Sequence, residues 1–112
     1  MHERSVAQAI YRQVERTERE QQGLLALACE VEIGPLSGIE ALCLQSAFAD
    51  LMNEFGREIH LTIQEVPLRG RCGDCDTESS IDAYDFHCAA CGSPRLQITS
   101  GDQIQLAHID LA

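Results

Sequence analysis

The chain begins with apolar residues at the spacing of an amphipathic helix. Over residues 5–22, Val6, Ile10 and Val14 recur four apart, and arginine and glutamate side chains occupy the opposite side. Such a pattern predicts a helix with one buried stripe and one solvated face. Gly23 is a suitable residue for the helix to end on.

A second apolar stripe at helical spacing follows further along, formed by Ala41, Leu44, Phe48, Leu51, Met52 and Phe55. Ser37 and Glu40 stand three apart just before it, which fits a capping box with Ser37 as the N-cap and Glu40 at the third helical position. Gly56 can close the helix in a left-handed conformation. These residues predict a helix that starts after Ser37 and ends before Gly56.

Three other stretches alternate apolar and polar residues with the period of a β-strand. The first covers 24–33, and its buried face is expected to carry Leu25, Leu27, Cys29, Val31 and Ile33. The second and third cover 58–66 and 103–111. The third changes parity, and a bulge near Ala107 and His108 would reconcile its two halves. The fold class predicted is α+β, with two helices on a three-stranded sheet.

Residues 68–97 differ in composition from the rest of the chain. They contain four cysteines with several Asp and Gly residues, and they have little apolar periodicity. We interpret them as a small module inserted between the second and third strands. The predicted domains are therefore the first part of an α+β domain over 1–67, the module over 68–97, and the final strand of the α+β domain over 98–112.

The inserted module carries two CxxC pairs, Cys72 with Cys75 and Cys88 with Cys91, separated by 12 residues. Each pair can supply two thiolates from one tight turn, and two such turns complete the tetrahedral four-sulfur shell that Zn²⁺ favours. About thirty residues cannot bury a core of their own, so the metal would supply folding free energy. These residues predict a structural zinc-ribbon module, and an iron–sulfur cluster is the alternative metal centre.

The remaining cysteines and the internal histidines have no matched ligand partners. Cys29 and Cys43 lie on or near the apolar face of their elements and are predicted to be small buried side chains. His87 precedes a zinc ligand, but four thiolates already satisfy zinc, so it is expected to be a solvent-facing spectator. His60 and His108 are expected to point outward from their strands.

The charge balance restricts the partners. Eight arginines and no lysines stand against 18 acidic residues, a formal net charge of -10. This surplus opposes binding to a phosphate backbone, and it suits a protein that handles cations or docks on a basic partner. The chain has no apolar run near the roughly 20 residues of a membrane span and no recognisable secretory signal. The expected location is the cytoplasm, where thiols stay reduced.

The first residues are Met1-His2-Glu3. The α-amine of Met1, the deprotonated amide nitrogen of His2 and the His2 imidazole can close two fused chelate rings around one metal ion. The Glu3 amide could add a fourth nitrogen. Planar nitrogen donors of this kind suit Ni²⁺ or Cu²⁺. A disordered tail is the alternative, because a histidine at the second position is unremarkable by itself.

In chain order these motifs resemble the HypA/HybF family, nickel metallochaperones for the maturation of [NiFe]-hydrogenases. The resemblance covers essentially the whole chain. It is carried by Met1-His2-Glu3 at the start of an amphipathic helix, the segment from Val31 to Gly38, Ser46-Ala47-Phe48, and the two CxxC pairs.

The resemblance implies that nickel binds at Met1, His2 and Glu3, through His2 and backbone nitrogens. It implies a nickel-binding domain interrupted by a module whose structural zinc is held by Cys72, Cys75, Cys88 and Cys91. The partners it implies are a HypB-type GTPase and the hydrogenase large subunit. Some members of the family also serve urease maturation, so the resemblance implies the urease accessory proteins as further partners.

Two positions bear on the nickel site that the resemblance implies. Glu40 falls where some relatives have an acidic residue near nickel, although its predicted capping role accounts for it. Arg4 stands where the family usually has an apolar residue. It places a positive charge beside the site without removing a ligand.

Two other functions fit part of the sequence. A zinc-ribbon adaptor that binds nucleic acid or protein would use the same cysteines, but residues 68–97 hold three arginines against five acidic residues. A thiol oxidoreductase needs one CxxC at a helix start rather than two matched pairs. The sequence contains no recognisable nucleophile–base pair or phosphate loop, so a protein without enzymatic activity is predicted.

Overall fold

The structure is a computed structural model that describes residues 2–112. It contains the helices α1 (Glu3–Glu20) and α2 (Ala41–Phe55). The strands are β1 (Ala26–Ile33), β2 (His60–Glu65), β3 (Arg69–Cys72), β4 (Glu78–Ser80), β5 (Leu96–Ser100) and β6 (Ile104–Leu111). Among residues 2–112, no helix is both long and apolar enough to cross a membrane.

One sheet consists of β2, β1 and β6 in that order. Leu25 and Ala112 exchange two backbone hydrogen bonds, at 3.0 and 2.9 Å, so β1 and β6 run antiparallel. The Val66 amide donates to the Ile33 carbonyl at 2.8 Å, which places the ends of β1 and β2 side by side. These two strands are therefore parallel, and α2 lies in the crossover that such a pair requires. The predicted two helices and three-stranded sheet are confirmed.

Both helices bury the stripes expected of them. The exceptions are in α2, where Ala41 is half-buried and Phe55, the last member of the stripe, is 55% exposed. In the strands, the expected parity change in β6 is also present, because Ala107 and His108 are consecutive exposed residues. The buried side chains of the helices include Val6, Ile10, Val14, Leu44, Phe48, Leu51 and Met52.

The prediction for the start of β1 is wrong in part. Cys29, Val31 and Ile33 are buried as expected, but Leu25 and Leu27 are 58% and 57% exposed. Ala26 is buried instead. The residue that faces inward is at an even position at Ala26 and at odd positions from Cys29 onward. A prediction that assumes strict alternation therefore assigns the residues before this change to the wrong face.

The predicted capping box of α2 is also wrong. The helix begins at Ala41 with Glu40 as its N-cap, and Glu40 makes no side-chain capping bond. The Ser37 hydroxyl and amide both donate to the Gly34 carbonyl, at 2.7 and 3.1 Å, so this serine closes the preceding turn instead. The other end of the helix is as predicted, because Gly56 adopts a left-handed conformation with φ 61°.

A partly buried ion pair links α1 to the chain that follows α2. The two carboxylate oxygens of Glu18 accept hydrogen bonds from Arg57, at 3.0 and 2.5 Å. Glu18 Oε2 also accepts from the Ala26 amide at 2.7 Å, and Glu18 is 8% exposed. Arg57 donates to the Tyr11 hydroxyl at 3.3 Å and lies over its ring. One carboxylate therefore ties together α1, the start of β1 and the residues after α2.

Glu18→Gln is expected to lower the free energy of unfolding by about 2 kcal/mol, because Arg57 would keep its position without a charged partner. The Arg57 hydrogen bonds lower the pKa of Glu18 below its ordinary value. The contribution of the pair is therefore complete above the unfolded-state pKa and is lost as the pH falls through the lower folded-state pKa. Urea unfolding at neutral and acidic pH measures this difference.

The matched control is Glu20→Gln, which removes an exposed pair of the same helix. Glu20 lies 3.5 Å from Arg16, and both side chains are mostly exposed. Its loss should change stability by less than about 0.5 kcal/mol. Equal unfolding midpoints for the two variants would contradict a special role for Glu18.

A second sheet consists of β4, β3 and β5 in that order, and both of its strand pairs are antiparallel. Arg69 is opposite Ser80 of β4, and Cys72 is opposite Leu96 of β5. The strands are three to five residues long. The sequence did not predict them, because strands this short offer too few alternating positions to produce a period-two signal.

The chain forms two compact units. The first runs to Glu32 and includes Gly38–Gln64 and Gln105–Ala112. The second comprises Ile33–Ser37 and Glu65–Ile104, and contains all four cysteines of the CxxC pairs. The second unit extends beyond 68–97 at both ends, and the predicted domain boundaries at 67 and 97 stay a prediction.

Candidate metal centres

The thiols of the two CxxC pairs converge on one point of the second unit. The distance between Sγ atoms is 3.7 Å for Cys72 and Cys91, and 3.6 Å for Cys75 and Cys88. All four Sγ atoms lie within 4.8 Å of one another. A tetrahedral zinc with Zn–S bonds of about 2.3 Å holds its sulfurs about 3.8 Å apart, whereas a disulfide requires about 2.05 Å. The four residues therefore fit one tetrahedral metal ion.

The two CxxC turns have the same pattern of backbone hydrogen bonds. The Cys72 carbonyl accepts from the Asp76 amide at 3.0 Å, and the Cys88 carbonyl accepts from the Gly92 amide at 2.8 Å. Asp76 and Gly92, each four residues after the first cysteine of a pair, have positive φ angles of 62° and 77°. Each pair therefore presents its two thiols from the same kind of closed turn.

Backbone amides donate to the first thiol of each CxxC pair. The amides of Asp74 and Cys75 donate to Cys72 Sγ, at 3.3 and 3.4 Å, and the Ala90 amide donates to Cys88 Sγ at 3.3 Å. The bonds from Cys75 and Asp74 lower the pKa of the Cys72 thiol below its ordinary value. Zinc binds thiolates, and four of them leave no open coordination position. The arrangement suits a structural ion rather than a catalytic one.

Two of the predicted nickel ligands, His2 and Glu3, lie at the start of α1. Met1 is outside the described residues. His2 is exposed and forms the N-cap with φ -83° and ψ 136°, and its side chain makes no capping hydrogen bond. The His2 carbonyl accepts from the Val6 amide at 3.2 Å, and Glu3 is the first helical residue. The imidazole of His2 is thus not needed to begin the helix.

Comparison with known proteins identifies the family. Residues 1–111 match the model of the family described as "Hydrogenase/urease nickel incorporation, metallochaperone, hypA". The chain belongs to the HypA family. Because members of this family are metallochaperones, the match agrees with the prediction of a protein without enzymatic activity.

Individual relatives match along nearly their whole length. The hydrogenase maturation factor HypA of Chlorobium luteolum is 36% identical over 110 residues, covering 97% of this chain and 94% of the relative. The HypA of Geobacter sulfurreducens is 34% identical over 115 residues, covering 99% of both chains. The solution structure of the Ni metallochaperone HypA from Helicobacter pylori superposes with a TM-score of 0.74 at 25% identity, covering 99% of this chain and 97% of that one.

Arg4, at a position where the sequence resemblance led us to expect an apolar residue, has a charged partner. Its Nη2 donates to both carboxylate oxygens of Glu54, at 3.0 and 2.8 Å. Both side chains are about half exposed. The ion pair joins α1 to α2 and balances the positive charge that Arg4 places near the N-terminus.

The two isolated cysteines differ from each other. Cys29 is 2% exposed as predicted, and burial raises its pKa to about 11. Cys43 is exposed, so the prediction that it is buried is wrong. Cys43 directly precedes Leu44, which is one of the buried residues of the α2 stripe. Its Sγ donates to Glu40 at 3.0 Å, and this bond is the main cause of its raised pKa.

The internal histidines lie at the surface, as predicted. His60 is exposed on β2. The imidazoles of His87 and His108 are within hydrogen-bonding distance of nearby aspartates, 2.7 Å from Asp85 and 2.6 Å from Asp110. His87 therefore has a carboxylate partner, and the four thiols form a complete ligand set without it.

Proposed function

We propose that this protein binds Ni²⁺ at its N-terminus and delivers it during the maturation of [NiFe]-hydrogenase. The observation that carries the proposal is the match to the nickel-incorporation family over residues 1–111. Relatives 30–36% identical carry the name hydrogenase maturation factor HypA. The partners that follow are a HypB-type GTPase and the hydrogenase large subunit, with the urease accessory proteins as a second set, in the cytoplasm.

The proposed nickel ligands are nitrogen atoms of the first three residues. They are the α-amine of Met1, the amide and imidazole nitrogens of His2, and the amide of Glu3. A cation is unfavourable at the positive end of a helix dipole, but ionised amides offset the charge of the metal, and the Glu3 carboxylate lies in the first turn. Three chelating donors and one weaker donor allow the site both to hold nickel and to release it.

The proposed role of the cysteine cluster is structural. Cys72, Cys75, Cys88 and Cys91 would hold one zinc ion, whose binding supplies folding free energy to the second unit. The core of this unit is small, and its buried apolar residues include Leu68, Cys72, Ile81 and Cys88. Two of these four are themselves proposed ligands, so the metal and the core depend on each other.

His2→Ala is expected to abolish specific nickel binding while zinc content and thermal unfolding stay unchanged. The imidazole is exposed and makes no capping bond, so its removal costs little stability. Calorimetric titration with NiCl₂, with metal analysis of the same samples, measures both properties.

His60→Ala is the matched control, because His60 is an exposed histidine in the same unit and outside the proposed site. It should bind nickel as the parent does. Parent-like nickel affinity in His2→Ala would refute the N-terminal site. Equal losses in the two variants would indicate general binding to surface histidines.

A further inference from the structure

Three side chains connect the two CxxC turns. Asp74 stands between Cys72 and Cys75 in the first turn, and Ser93 and Arg95 follow the second CxxC pair. The Asp74 carboxylate accepts a hydrogen bond from the Ser93 hydroxyl. Its Oδ1 also accepts from Arg95 Nη1 at 2.6 Å. We call Asp74, Ser93 and Arg95 the inter-turn clamp.

The inter-turn clamp contacts both cysteine turns. The Asp74 amide donates to Cys72 Sγ at 3.3 Å, and the Ser93 carbonyl accepts from the Cys88 amide at 2.8 Å. The Ser93 hydroxyl also accepts from the Arg95 amide at 3.1 Å, which fixes its orientation toward Asp74. A continuous path of hydrogen-bonded residues therefore runs from the Cys72 sulfur to the backbone of Cys88.

The backbones approach closely at the same place. The Gly73 amide donates to the Arg95 carbonyl at 2.7 Å. A Cβ added at Gly73 would lie 3.3 Å from that carbonyl oxygen, which is tighter than ordinary van der Waals contact. A backbone bond at Gly73 and the side-chain bonds of Asp74 thus act at adjacent residues to set the distance between the two turns.

We propose that the inter-turn clamp is a positioning device that holds the two CxxC turns at the zinc-binding separation and slows the loss of zinc. Four thiolates repel one another once the metal leaves, and bonds between the turns oppose their separation. The Asp74 and Arg95 charges cancel, so the clamp adds no net charge to the site. This inference rests on the proposed zinc site and concerns how firmly that site holds its ion.

If Asp74 acted on the zinc site only through its charge, its removal would have the opposite effect on the rate of zinc release. Removing its carboxylate would leave the Arg95 guanidinium free to attract the thiolates, and would favour the anionic zinc complex. Loss of the clamp would instead accelerate zinc release. Ser93→Ala separates the two effects, because it removes hydrogen bonds without changing any charge.

Zinc release is measured by transfer of the ion to an excess of a chromogenic chelator. Asp74→Ala and Ser93→Ala are each expected to release zinc about tenfold faster than the parent, the size of effect usual for residues that support metal ligands. The double variant should be little faster than the faster single variant, because the two residues belong to one network. If Asp74→Ala does not fold, Ser93→Ala carries the same test.

Thr99→Ala is the matched control for the release experiment. The Thr99 hydroxyl donates to the Glu78 carboxylate at 2.8 Å, so it makes the same kind of bond in the same unit, between β5 and β4. This variant should release zinc at the parent rate. Because its bond does not join the cysteine turns, it reports the effect of losing a surface hydrogen bond alone.

Cobalt substitution distinguishes positioning from a general loss of stability. The d–d absorption bands of Co²⁺ bound by the four thiolates should shift in Asp74→Ala and stay unchanged in Thr99→Ala. Parent-like zinc release in both Asp74→Ala and Ser93→Ala, or slower release in Asp74→Ala, would overturn the clamp. A parent protein that binds no zinc would overturn the proposed zinc site itself, and with it the clamp.

Discussion

Cys91→Ala is expected to remove zinc from the protein and to unfold the unit that contains the four cysteines. Three thiolates leave the tetrahedral shell incomplete, and structural zinc sites of this type contribute about 10–16 kcal/mol to the folding of small modules. The small core of the second unit cannot replace a contribution of that size. Elemental analysis gives the zinc content, and amide hydrogen exchange identifies which segments lose protection.

Cys43→Ala provides the control for this experiment. Cys43 is an exposed cysteine outside the four-sulfur cluster, so its removal should leave one zinc per chain. The helices α1 and α2 should keep their exchange protection in both variants, because they bury apolar stripes of their own in the first unit. A full zinc content in Cys91→Ala would contradict the assignment of the ligands.

The parts of the fold that could be predicted from the sequence depend on local spacing. The stripes of α1 and α2, and the two CxxC pairs, each produce a signal within a short stretch of chain. The cysteine spacing also predicted convergence, because ligands of one ion must meet wherever the rest of the chain lies. The thiols do converge, with all four Sγ atoms within 4.8 Å of one another.

The interactions that could not be predicted join residues far apart in the chain. Glu18 and Arg57 are 39 residues apart and Asp74 and Arg95 are 21 apart. Each of these residues reads as an ordinary surface charge in the sequence. Which pair forms depends on how the elements pack, so the sequence around each residue carries no signal for it.

Local motifs also gave wrong predictions where a neighbouring group formed a competing hydrogen bond. Ser37 and Glu40 have the spacing of a capping box, but the Ser37 hydroxyl bonds to the Gly34 carbonyl and the Glu40 carboxylate bonds to Cys43. Serine side chains readily bond to neighbouring backbone groups outside helices. The two residues of the capping-box motif are present, but the serine hydroxyl is bonded within the preceding turn.

The two proposed metal sites belong to different compact units. His2 is in the unit that contains both helices, and the cysteine cluster is in the other. Changes at one site are therefore expected to leave metal binding at the other intact. This separation allows zinc content to serve as an internal control for folding in every nickel experiment.

A short peptide extension before Met1 is expected to weaken nickel binding strongly, without changing zinc content or circular dichroism. The proposed α-amine ligand exists only while Met1 is the first residue, and an extension converts it into an amide. The chelate then loses one of its anchoring donors. The amine and the imidazole must both be deprotonated to bind metal, so nickel affinity should also decrease as the pH is lowered. Calorimetric titration at several pH values measures both effects.

The same peptide added after Ala112 is the matched control. Ala112 already pairs with Leu25 through its amide and carbonyl, at 2.9 and 3.0 Å, and an extension can keep both bonds. The C-terminally extended protein should therefore bind nickel as the parent does and support enzyme maturation in cells, whereas the N-terminally extended protein should do neither. Equal nickel affinities for the two, measured at the same pH, would mean that the amine is not a ligand. The site would then have to take its donors from His2 and other side chains.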